Sequence, residues 1–221
     1  MPGSRGRAMC IINENVYSSL ESGEGVRLNL GCGRRSREGF VGVDRLALPG
    51  VDIVADLNMP LVDLPDECVT EIYSRHVLEH VDDLLPLMAE LHRVCRPDAR
   101  IEIVVPHFSN PYYYSDPTHV RHFGLYTFFY FSDEEDQPRR KVPAFYMDQR
   151  FTVEDVKIRL LKRSILVRPM ANAMEWLINR GIGCLDWYER SACWICPAES
   201  IRFVLRPKKV SEAVARQSLA A

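Results

Sequence analysis

Histidine and carboxylate side chains concentrate in one short part of the chain. All six histidines lie between positions 76 and 122, and Asp116 stands shortly before His119 and His122. A histidine is suited to removing a proton from a hydroxyl group, above all when a carboxylate orients its ring. The pattern predicts acid–base chemistry by Asp116 with His119 or His122, with His107 as the rival base. The alternative is structural, with a turn at Asp116 and histidines that bond backbone groups.

A second cluster of ligand-type side chains lies in the segment His76-Val77-Leu78-Glu79-His80. On a helix, positions 76, 79 and 80 share one face, so three potential metal ligands converge. The order H-x-x-E-H is also that of inverted zinc peptidases. Such a peptidase needs a long helix around the motif, whereas this motif directly follows an apolar, strand-like run. The peptidase hypothesis is therefore rejected, and a metal site stays open.

A Gly-x-Gly turn, Gly31-Cys32-Gly33, follows one apolar run, and Asp44 ends the next. Glycines let the backbone approach a ligand closely, and a carboxylate at a strand end can accept both hydroxyl hydrogens of a ribose. A dinucleotide site calls for a third glycine, where this chain has Ser36, and for an acid about 20 residues on. The pattern thus predicts a nucleoside ligand without phosphates. A glycine-rich turn with a capping aspartate is the plain alternative.

The elements that must position these residues are short apolar runs bounded by Gly, Pro, Asp or Asn, as buried parallel strands are. There are five: Val26–Leu30, Phe40–Asp44, Asp52–Asp56, Val69–Ser74 and Ile101–Pro106. An apolar stripe from Leu84 to Cys95 predicts one amphipathic helix, capped by Asp82 or Asp83 and stopped by Pro97. Few residues separate the first two runs, so the early crossovers must be compressed. The order predicts an α/β fold with a Rossmann-like, mostly parallel sheet.

The second half of the chain has a different pattern. Residues 107–150 are rich in aromatics, His and Pro, which predicts a segment that covers the active site, with Tyr112, Tyr113 and Tyr114 as candidate walls of an acceptor pocket. Further on, the pattern predicts strands at 151–164 and 201–206 and helices at 171–182 and 185–195. We expect a single domain over residues 1–221, made of a cofactor-binding core (26–106), the covering segment (107–150) and C-terminal elements that complete the sheet and the acceptor pocket (151–206).

Taken together, the motifs resemble the class I S-adenosylmethionine (SAM)-dependent methyltransferases. Residues 28–33 are similar to the first motif of that family, Asp44 to its ribose-binding acid, and Ala55-Asp56-Leu57 to the segment that contacts adenine. Residues 77–81 resemble its LEHV segment, and residues 91–97 its helix end before the fifth strand. Asp98-Ala99-Arg100 departs from the usual Gly-Gly. The sequence of residues 115–123 resembles that of one subgroup of the family, which is common among predicted natural-product and surface-glycan methyltransferases.

This resemblance, which covers residues 26–108, implies a seven-stranded sheet and SAM as cofactor. The cofactor-binding residues that it implies are Asn29, Leu30, Gly31, Cys32, Gly33, Asp44, Asp56, Leu57, Arg75 and His76.

The Glu79-His80 pair also resembles the E-x-x-E-H arrangement, with a later histidine, of metal-dependent 2′-O-methyltransferases of small RNAs and some quinone O-methyltransferases. By that resemblance His76, Glu79, His80 and His107 would hold a divalent ion against a substrate hydroxyl. His76 in place of Glu would shift the preference towards zinc or another transition metal. The alternative is that Glu79 and His80 only shape the loop.

Composition limits the partners. The formal net charge of −2 gives no basic excess of the kind that binding to duplex nucleic acid requires. No apolar run approaches the roughly 18 residues of a membrane span. Seven thinly spread cysteines and a polar start without an apolar leader indicate reduced thiols in a cytosol. Cys193-x-x-Cys196 with Cys184 lacks a paired second motif, so buried structural thiols are favoured over zinc.

The main hypothesis is methyl transfer from SAM to a small-molecule acceptor, chiefly O-methylation of a sugar, a carboxylate or another metabolite. An RNA or protein methyltransferase and a non-catalytic SAM-binding subunit are the alternatives. The helices between Met170 and Trp194 leave a homodimer open, although completion of the domain core is the favoured role.

Overall fold

The computed structural model describes residues 9–162 and 168–209. Its centre is an eight-stranded sheet with the strand order β1-β4-β3-β2-β5-β6-β8-β7. The strands are β1 (Met9–Ile11), β2 (Val26–Leu30), β3 (Val41–Asp44), β4 (Ile53–Ala55), β5 (Val69–Arg75), β6 (Cys95–Pro106), β7 (Arg150–Leu160) and β8 (Ala198–Lys208). The five apolar runs predicted as parallel strands correspond to β2 to β6, so the predicted fold class is confirmed.

Within residues 9–162 and 168–209, four α-helices and four short 3-10 helices join these strands. The α-helices are α1 (Glu14–Glu21), α2 (Leu84–Val94), α3 (Arg168–Ile178) and α4 (Ile182–Ser191), and the 3-10 helices span Leu78–His80, Pro111–Ser115, Thr127–Phe131 and Glu134–Asp136. Within the described ranges, no helix combines the length and the apolarity that crossing a bilayer requires.

The direction of the strands determines where a ligand can bind. Strands β2 to β6 run parallel, and β8 runs antiparallel to both β6 and β7. The chain order reverses around β2, which has β3 on one side and β5 on the other. Open parallel sheets bind ligands outside the carboxyl ends of their strands at such a switch point. The glycine turn and the first acid therefore end neighbouring strands at this edge.

The early crossovers are compressed, as the sequence predicts. No α-helix lies between β2 and β3 or between β3 and β4. Side chains hold the first of these loops instead, because the Asn29 side-chain amide donates to the carbonyl of Arg35 (3.2 Å). The next loop is held at its end, where Asp52 accepts from the backbone N–H of Gly42 (2.8 Å).

Helix α2 occupies its predicted place with a different end. Asp83 caps it by accepting from the N–H of Leu85 (3.1 Å). The helix ends at Val94 and not at Pro97, because Cys95 already has extended backbone and pairs with Val69 as the first residue of β6. Pro97 lies inside that strand.

The other predicted elements differ at their ends. Helices α3 and α4 each begin and end three or four residues before the predicted ranges 171–182 and 185–195. Strand β7 ends at Leu160, and residues 163–164 of the predicted strand lie outside the described residues.

An ion-pair network fixes the segment after β4 onto α2. Arg93 donates to the Glu90 carboxylate (2.9 Å) and to the carbonyls of Leu61 (3.1 Å) and Leu64 (2.9 Å). Glu90 in turn accepts from the N–H of Leu61 (2.9 Å). The backbone that leads away from Asp56 is thereby anchored to a helix.

Replacing Glu90 by Gln should lower the free energy of unfolding by about 1–3 kcal/mol, as loss of hydrogen bonds to a charged group does. The hydrogen bond from Arg93 keeps the pKa of Glu90 below its ordinary value. The contribution of Glu90 is therefore present above the pKa that it has in the unfolded chain, and is lost as pH falls through its folded pKa. Urea unfolding should show a gap between wild type and Glu90→Gln that closes on acidification. A gap independent of pH, or an equal loss in the exposed Glu24→Gln control, would contradict this.

Candidate functional site

A crevice of about 450 Å³ opens at the carboxyl ends of the central parallel strands. Its wall combines backbone from the glycine turn, three aspartates, several apolar side chains and two histidines. The lining residues are Gly31, Asp44, Arg45, Ala55, Asp56, Leu57, Asn58, His76, Val77, His80, Val81, Asp82, Thr118 and Val120. Of the predicted cofactor residues, the structure brings together Gly31, Asp44, Asp56, Leu57 and His76.

Gly31 directly follows β2 and lies against Val77, just beyond the end of β5. Its φ of +62° belongs to the left-handed region, and a Cβ there would lie 2.1 Å from Cγ2 of Val77. Gly33 also has a positive φ, +55°, but its missing side chain would point into open space. The backbone N–H of Gly33 donates to Asp44 (2.9 Å). Only glycine fits at position 31, and the turn is tied directly to the acid of the next strand.

The carboxylates of the crevice are held in fixed orientations. One oxygen of Asp44 accepts from Gly33, and the other accepts from the N–H of Leu46 (3.1 Å). Asp56 accepts from the N–H of Asn58 (2.9 Å), whose side-chain oxygen accepts from the N–H of Asp82 (2.7 Å). Ionised carboxylates only accept hydrogen bonds, so the crevice presents fixed acceptors to hydroxyl or amino groups of a ligand.

Several predicted cofactor residues do not line this crevice. Leu30 is buried in the core, and Asn29 holds the loop through Arg35. Cys32 is buried, and its sulfur lies 2.9 Å from the position that a Cβ of Gly42 would take. Burial, with a smaller contribution from the charge of Asp44, raises the pKa of the Cys32 thiol. These three residues support the glycine turn without lining the crevice.

Arg75 faces elsewhere. It lines a second crevice together with Lys157, Arg159, Trp176 and Arg180. The prediction that Arg75 contacts the cofactor therefore has no support in the geometry of the site.

His76 has a backbone conformation that is costly for a residue with a Cβ. Its φ is +56°, and the left-handed region costs such a residue about 1–2 kcal/mol. Its N–H donates to the carbonyl of Val104 (2.9 Å), and its Nδ1 lies 3.4 Å from Glu79 Oε1. Strain of this kind concentrates at functional sites. The strained residue His76 directly follows β5 in the sequence and lines the crevice.

Glu79, His80 and His119 form a cluster beside the crevice, with one ligand-type atom from each within 4.8 Å of the others. The side chain of Glu79 is 1% exposed, and neither of its carboxylate oxygens has a hydrogen-bond partner among the described residues. The backbone carbonyl of Glu79 accepts from Val120 (2.8 Å). This bond brings the covering segment, residues 107–150, against the 3-10 helix that carries Glu79 and His80.

Of the two histidines predicted as partners of Asp116, His119 is the one that lies near it. The Asp116 carboxylate lies 3.7 Å from Nε2 of His119, whose Nδ1 contacts the carbonyl of Tyr113 (2.8 Å). Hydrogen bonds from the side chain and backbone of Thr118 keep the pKa of Asp116 below its ordinary value. His122 is exposed and lies against the rings of two tyrosines instead.

His107 lies apart from this cluster. It is completely buried, and both of its ring nitrogens are engaged. Nδ1 accepts from the N–H of Ser109 (3.1 Å), so the proton is on Nε2, which donates to Glu189 (3.0 Å). This bond ties the end of β6 to α4. The geometry assigns His107 a structural position and supports neither the predicted role as a base nor that as a metal ligand.

The cysteine group near the C-terminus differs from its prediction. All seven cysteines are free, and of the three in this group only Cys193 is buried. Cys184 and Cys196 are exposed. The interpretation of buried structural thiols therefore holds for one of the three.

Sequence and structure comparisons place this geometry among methyltransferases. Residues 37–103 match the family model described as a methyltransferase domain. No curated protein matches the sequence significantly. A SAM-dependent methyltransferase from Archaeoglobus fulgidus is similar in structure, with a TM-score of 0.52, 20% identity and coverage of 87% of this chain and 93% of that one.

Two further solved structures resemble the chain less closely. The YcgJ protein from Bacillus subtilis has a TM-score of 0.47, 12% identity and coverage of 90% of this chain and 99% of that one. Phosphoethanolamine N-methyltransferase 2 from Haemonchus contortus has a TM-score of 0.48, 13% identity and coverage of 89% and 53%.

The similarity to the Archaeoglobus structure establishes the fold, and the family match covers β3 to β5 and much of β6, where the acids and the H-x-x-E-H segment lie. With the order of the strands around the switch point, these findings show that the chain has the Rossmann-like fold of class I SAM-dependent methyltransferases and that residues 37–103 are similar to a methyltransferase domain.

Proposed function

We propose that this enzyme transfers the methyl group of SAM to an oxygen atom of a small acceptor, such as a sugar or a carboxylic acid. The single observation that carries the proposal is the position of the Glu79–His80–His119 cluster. It adjoins the crevice in which Asp44 and Asp56 lie, so groups that can hold a proton stand beside the proposed cofactor site.

The chemistry of the crevice fits SAM. We assign Asp44 to the two ribose hydroxyls, Asp56 and Leu57 to the adenine, and the backbone at Gly31 to close approach by the rest of the molecule. Three aspartates and one arginine line the crevice, and this negative balance favours a positively charged sulfonium over a pyrophosphate. The positive φ of His76 places strain at the same wall.

In the proposed reaction the acceptor oxygen bonds to the methyl carbon while the carbon–sulfur bond breaks and its electron pair goes to sulfur. An acceptor hydroxyl also gives up its proton, which we propose a histidine of the cluster accepts. A carboxylate acceptor has no proton to lose. Much of the rate enhancement comes from alignment, which is worth up to about 7–11 kcal/mol in favourable cases.

The covering segment supplies the proposed acceptor side. Thr118 and Val120 line the crevice, and the buried Tyr113 donates its hydroxyl to the carbonyl of Arg121 in the same segment. Tyr112 and Tyr114 are exposed, at 68% and 59%. We propose that these two rings flank the entrance through which a small acceptor reaches the cluster.

A macromolecular acceptor such as RNA gains little support from the surface charges. The crevice around Arg75 contains six basic side chains, but Arg159 is paired with Glu199 (3.2 Å), Lys162 with Glu175 (3.2 Å) and Arg202 with Asp155. Paired cations contribute little to binding of phosphates, because partner carboxylates already neutralise them. A small acceptor remains the better match.

The test is to supply SAM with an isotopically labelled methyl group and separate panels of sugars, carboxylic acids, amines and total RNA. The wild-type enzyme is expected to place the label on oxygen in a sugar or acid, as an ether or ester detected by NMR. Label found only on nitrogen, or only in RNA or protein, would contradict the proposal. Asp44→Asn serves as the matched protein control, because it is expected to retain the fold while binding SAM poorly.

A further inference from the structure

We propose that Glu79, His80 and His119 form a binding site for one divalent transition-metal ion, with zinc as the best-matched ion, at the edge of the SAM crevice. This set differs from the one that the sequence predicts, because His119 takes part and neither His76 nor the buried His107 does. Three independent features carry the proposal: an unpartnered buried carboxylate, the protonation pattern of two histidines, and the spacing of the three side chains.

The first feature is the carboxylate of Glu79. It is almost completely buried, yet neither oxygen has a hydrogen-bond partner among the described residues. The nearest ionisable contact is Nδ1 of His76, 3.4 Å from Oε1. Buried carboxylates are normally hydrogen-bonded, paired or bound to metal, since burial of an uncompensated charge is strongly unfavourable. A cation between Glu79 and its two histidine neighbours would remove this deficit.

The second feature is the protonation of the histidines, which follows from their hydrogen bonds. Nδ1 of His119 contacts the carbonyl of Tyr113 (2.8 Å), which can only accept, so Nδ1 carries the proton. The hydroxyl of Thr118 donates to Asp116 (2.6 Å), so its contact with Nδ1 of His80 (2.9 Å) is one in which the ring donates. In the neutral form, both rings therefore keep the unprotonated nitrogen at Nε2, and that of His119 lies 3.7 Å from a carboxylate oxygen of Asp116.

This is how proteins orient histidines that bind metals. A ligating imidazole usually donates its other ring N–H to a carbonyl, a carboxylate or another polar group, which fixes the tautomer and the ring direction. His119 has such a bond to Tyr113, and His80 has one to Thr118, which is itself held by Asp116. The outer hydrogen bonds are present for both rings.

The third feature is the spacing and the chemical type of the ligands. The three ligand-type atoms lie within 4.8 Å of one another, whereas tetrahedral zinc holds its ligands about 3.4 Å apart. Side-chain rotation can close this difference, because His80 lies at the solvent edge. Two imidazoles with one carboxylate suit zinc and its neighbours and not magnesium or calcium, and three protein ligands leave the fourth position open, as catalytic zinc sites do.

The open position has a consequence that rests on the proposed function. Because His80 and Thr118 line the SAM crevice, an acceptor oxygen could bind the ion within reach of the methyl donor. Binding to the ion favours loss of the hydroxyl proton to solvent. Metal binding itself does not depend on the reaction.

The test measures metal binding alone, on the full chain treated with a chelator and without SAM. Calorimetry with zinc chloride is expected to show one site per chain. Cobalt(II) is expected to show visible d–d absorption without a thiolate-to-cobalt band in the near ultraviolet. Glu79→Gln and His119→Ala are expected to weaken zinc binding more than about tenfold, since loss of even an outer partner costs about that much.

Two matched controls separate this site from other ligands. His122→Ala removes a neighbouring exposed histidine from the same segment, and the double variant Cys193→Ser with Cys196→Ser removes the two thiols of the C-x-x-C sequence. Both are expected to bind zinc as the wild type does. Circular dichroism and the Tm report whether each variant is folded, and the nearly isosteric Glu79→Gln tests the site if His119→Ala does not fold.

Absence of zinc binding to the wild type would overturn the proposal. Equal affinity in folded Glu79→Gln, or a cobalt thiolate band that disappears in the cysteine variant, would overturn it too. SAM binding is measured in parallel on the same samples. Zinc binding without SAM binding would refute the proposed function and leave the metal site, and the reverse result would refute only the metal site.

Discussion

Replacing Asp44 by Asn should weaken SAM binding by about 100-fold. The carboxylate is fixed by the N–H groups of Gly33 (2.9 Å) and Leu46 (3.1 Å) and lines the crevice. Hydrogen bonds to a charged group contribute about 1.5–3 kcal/mol each, and about 2.7 kcal/mol corresponds to a factor of 100 in affinity. Asparagine has a similar shape, but it replaces one acceptor by a donor and removes the charge.

Asp52→Asn is the matched control for this prediction. Asp52 also accepts from a backbone N–H on the same sheet, that of Gly42 (2.8 Å), but it does not line the SAM crevice. Calorimetric titration with SAM should show a large loss in Asp44→Asn and almost none in Asp52→Asn, with the Tm of each recorded. Equal losses of SAM affinity in the two variants would mean that the substitutions weaken binding by destabilising the loops. Unchanged affinity in Asp44→Asn would remove Asp44 from the site.

Replacing Gly31 by Ala should reduce stability by about 2–5 kcal/mol and abolish measurable SAM binding. The left-handed backbone costs a residue with a Cβ about 1–2 kcal/mol, and overpacking adds about 1–3 kcal/mol. The added Cβ would lie 2.1 Å from Val77 Cγ2 and 3.0 Å from Cγ1. Relief of that overlap must separate the ends of β2 and β5, which form the floor of the crevice.

Gly33→Ala and a double variant isolate the two contributions. Gly33 has a similar φ with open space around it. Gly33→Ala should therefore lower the free energy of unfolding only by the cost of a left-handed backbone, about 1–2 kcal/mol. Adding Val77→Ala to Gly31→Ala should recover part of the loss, because the overlapping methyl groups are gone. Urea unfolding of the four proteins measures both terms. Equal losses at positions 31 and 33, with no recovery in the double variant, would refute the close approach.

The central strands could be predicted because each is a buried apolar run between residues that break strands. Strand β1 and helix α1 could not be predicted in the same way. Strand β1 has only three residues, and α1 has a single fully buried side chain, that of Val16. Their formation depends on contacts with distant chain, such as the antiparallel pairing of β1 with β4.

The cofactor side of the site was predictable because parallel strands all end at one edge of a sheet. Asp44 ends β3, and Gly31 and Asp56 directly follow β2 and β4, so their convergence needs no knowledge of the loops. Whether a residue of a motif faces the crevice or the core was less clear. Cys32 and Asn29 belong to the same motif as Gly31, yet they point away from the crevice.

The cluster beside the crevice shows where sequence reasoning fails. By resemblance, His107 was predicted as the fourth ligand, but it is buried with both nitrogens bonded. His119 lies beside Glu79 instead, where the N–H of Val120 donates to the carbonyl of Glu79, 41 residues earlier. That contact is tertiary. The local signal for His119 was its spacing from Asp116, which predicted their pairing.

The central claim is that SAM binds at the carboxyl ends of β2 to β5, and a crystal structure with S-adenosylhomocysteine tests it most directly. The expected result is adenosine density in this crevice, with the ribose hydroxyls on Asp44 and the adenine beside Asp56 and Leu57. Density at any other place, or a crevice closed by protein side chains at saturating ligand, would contradict the account.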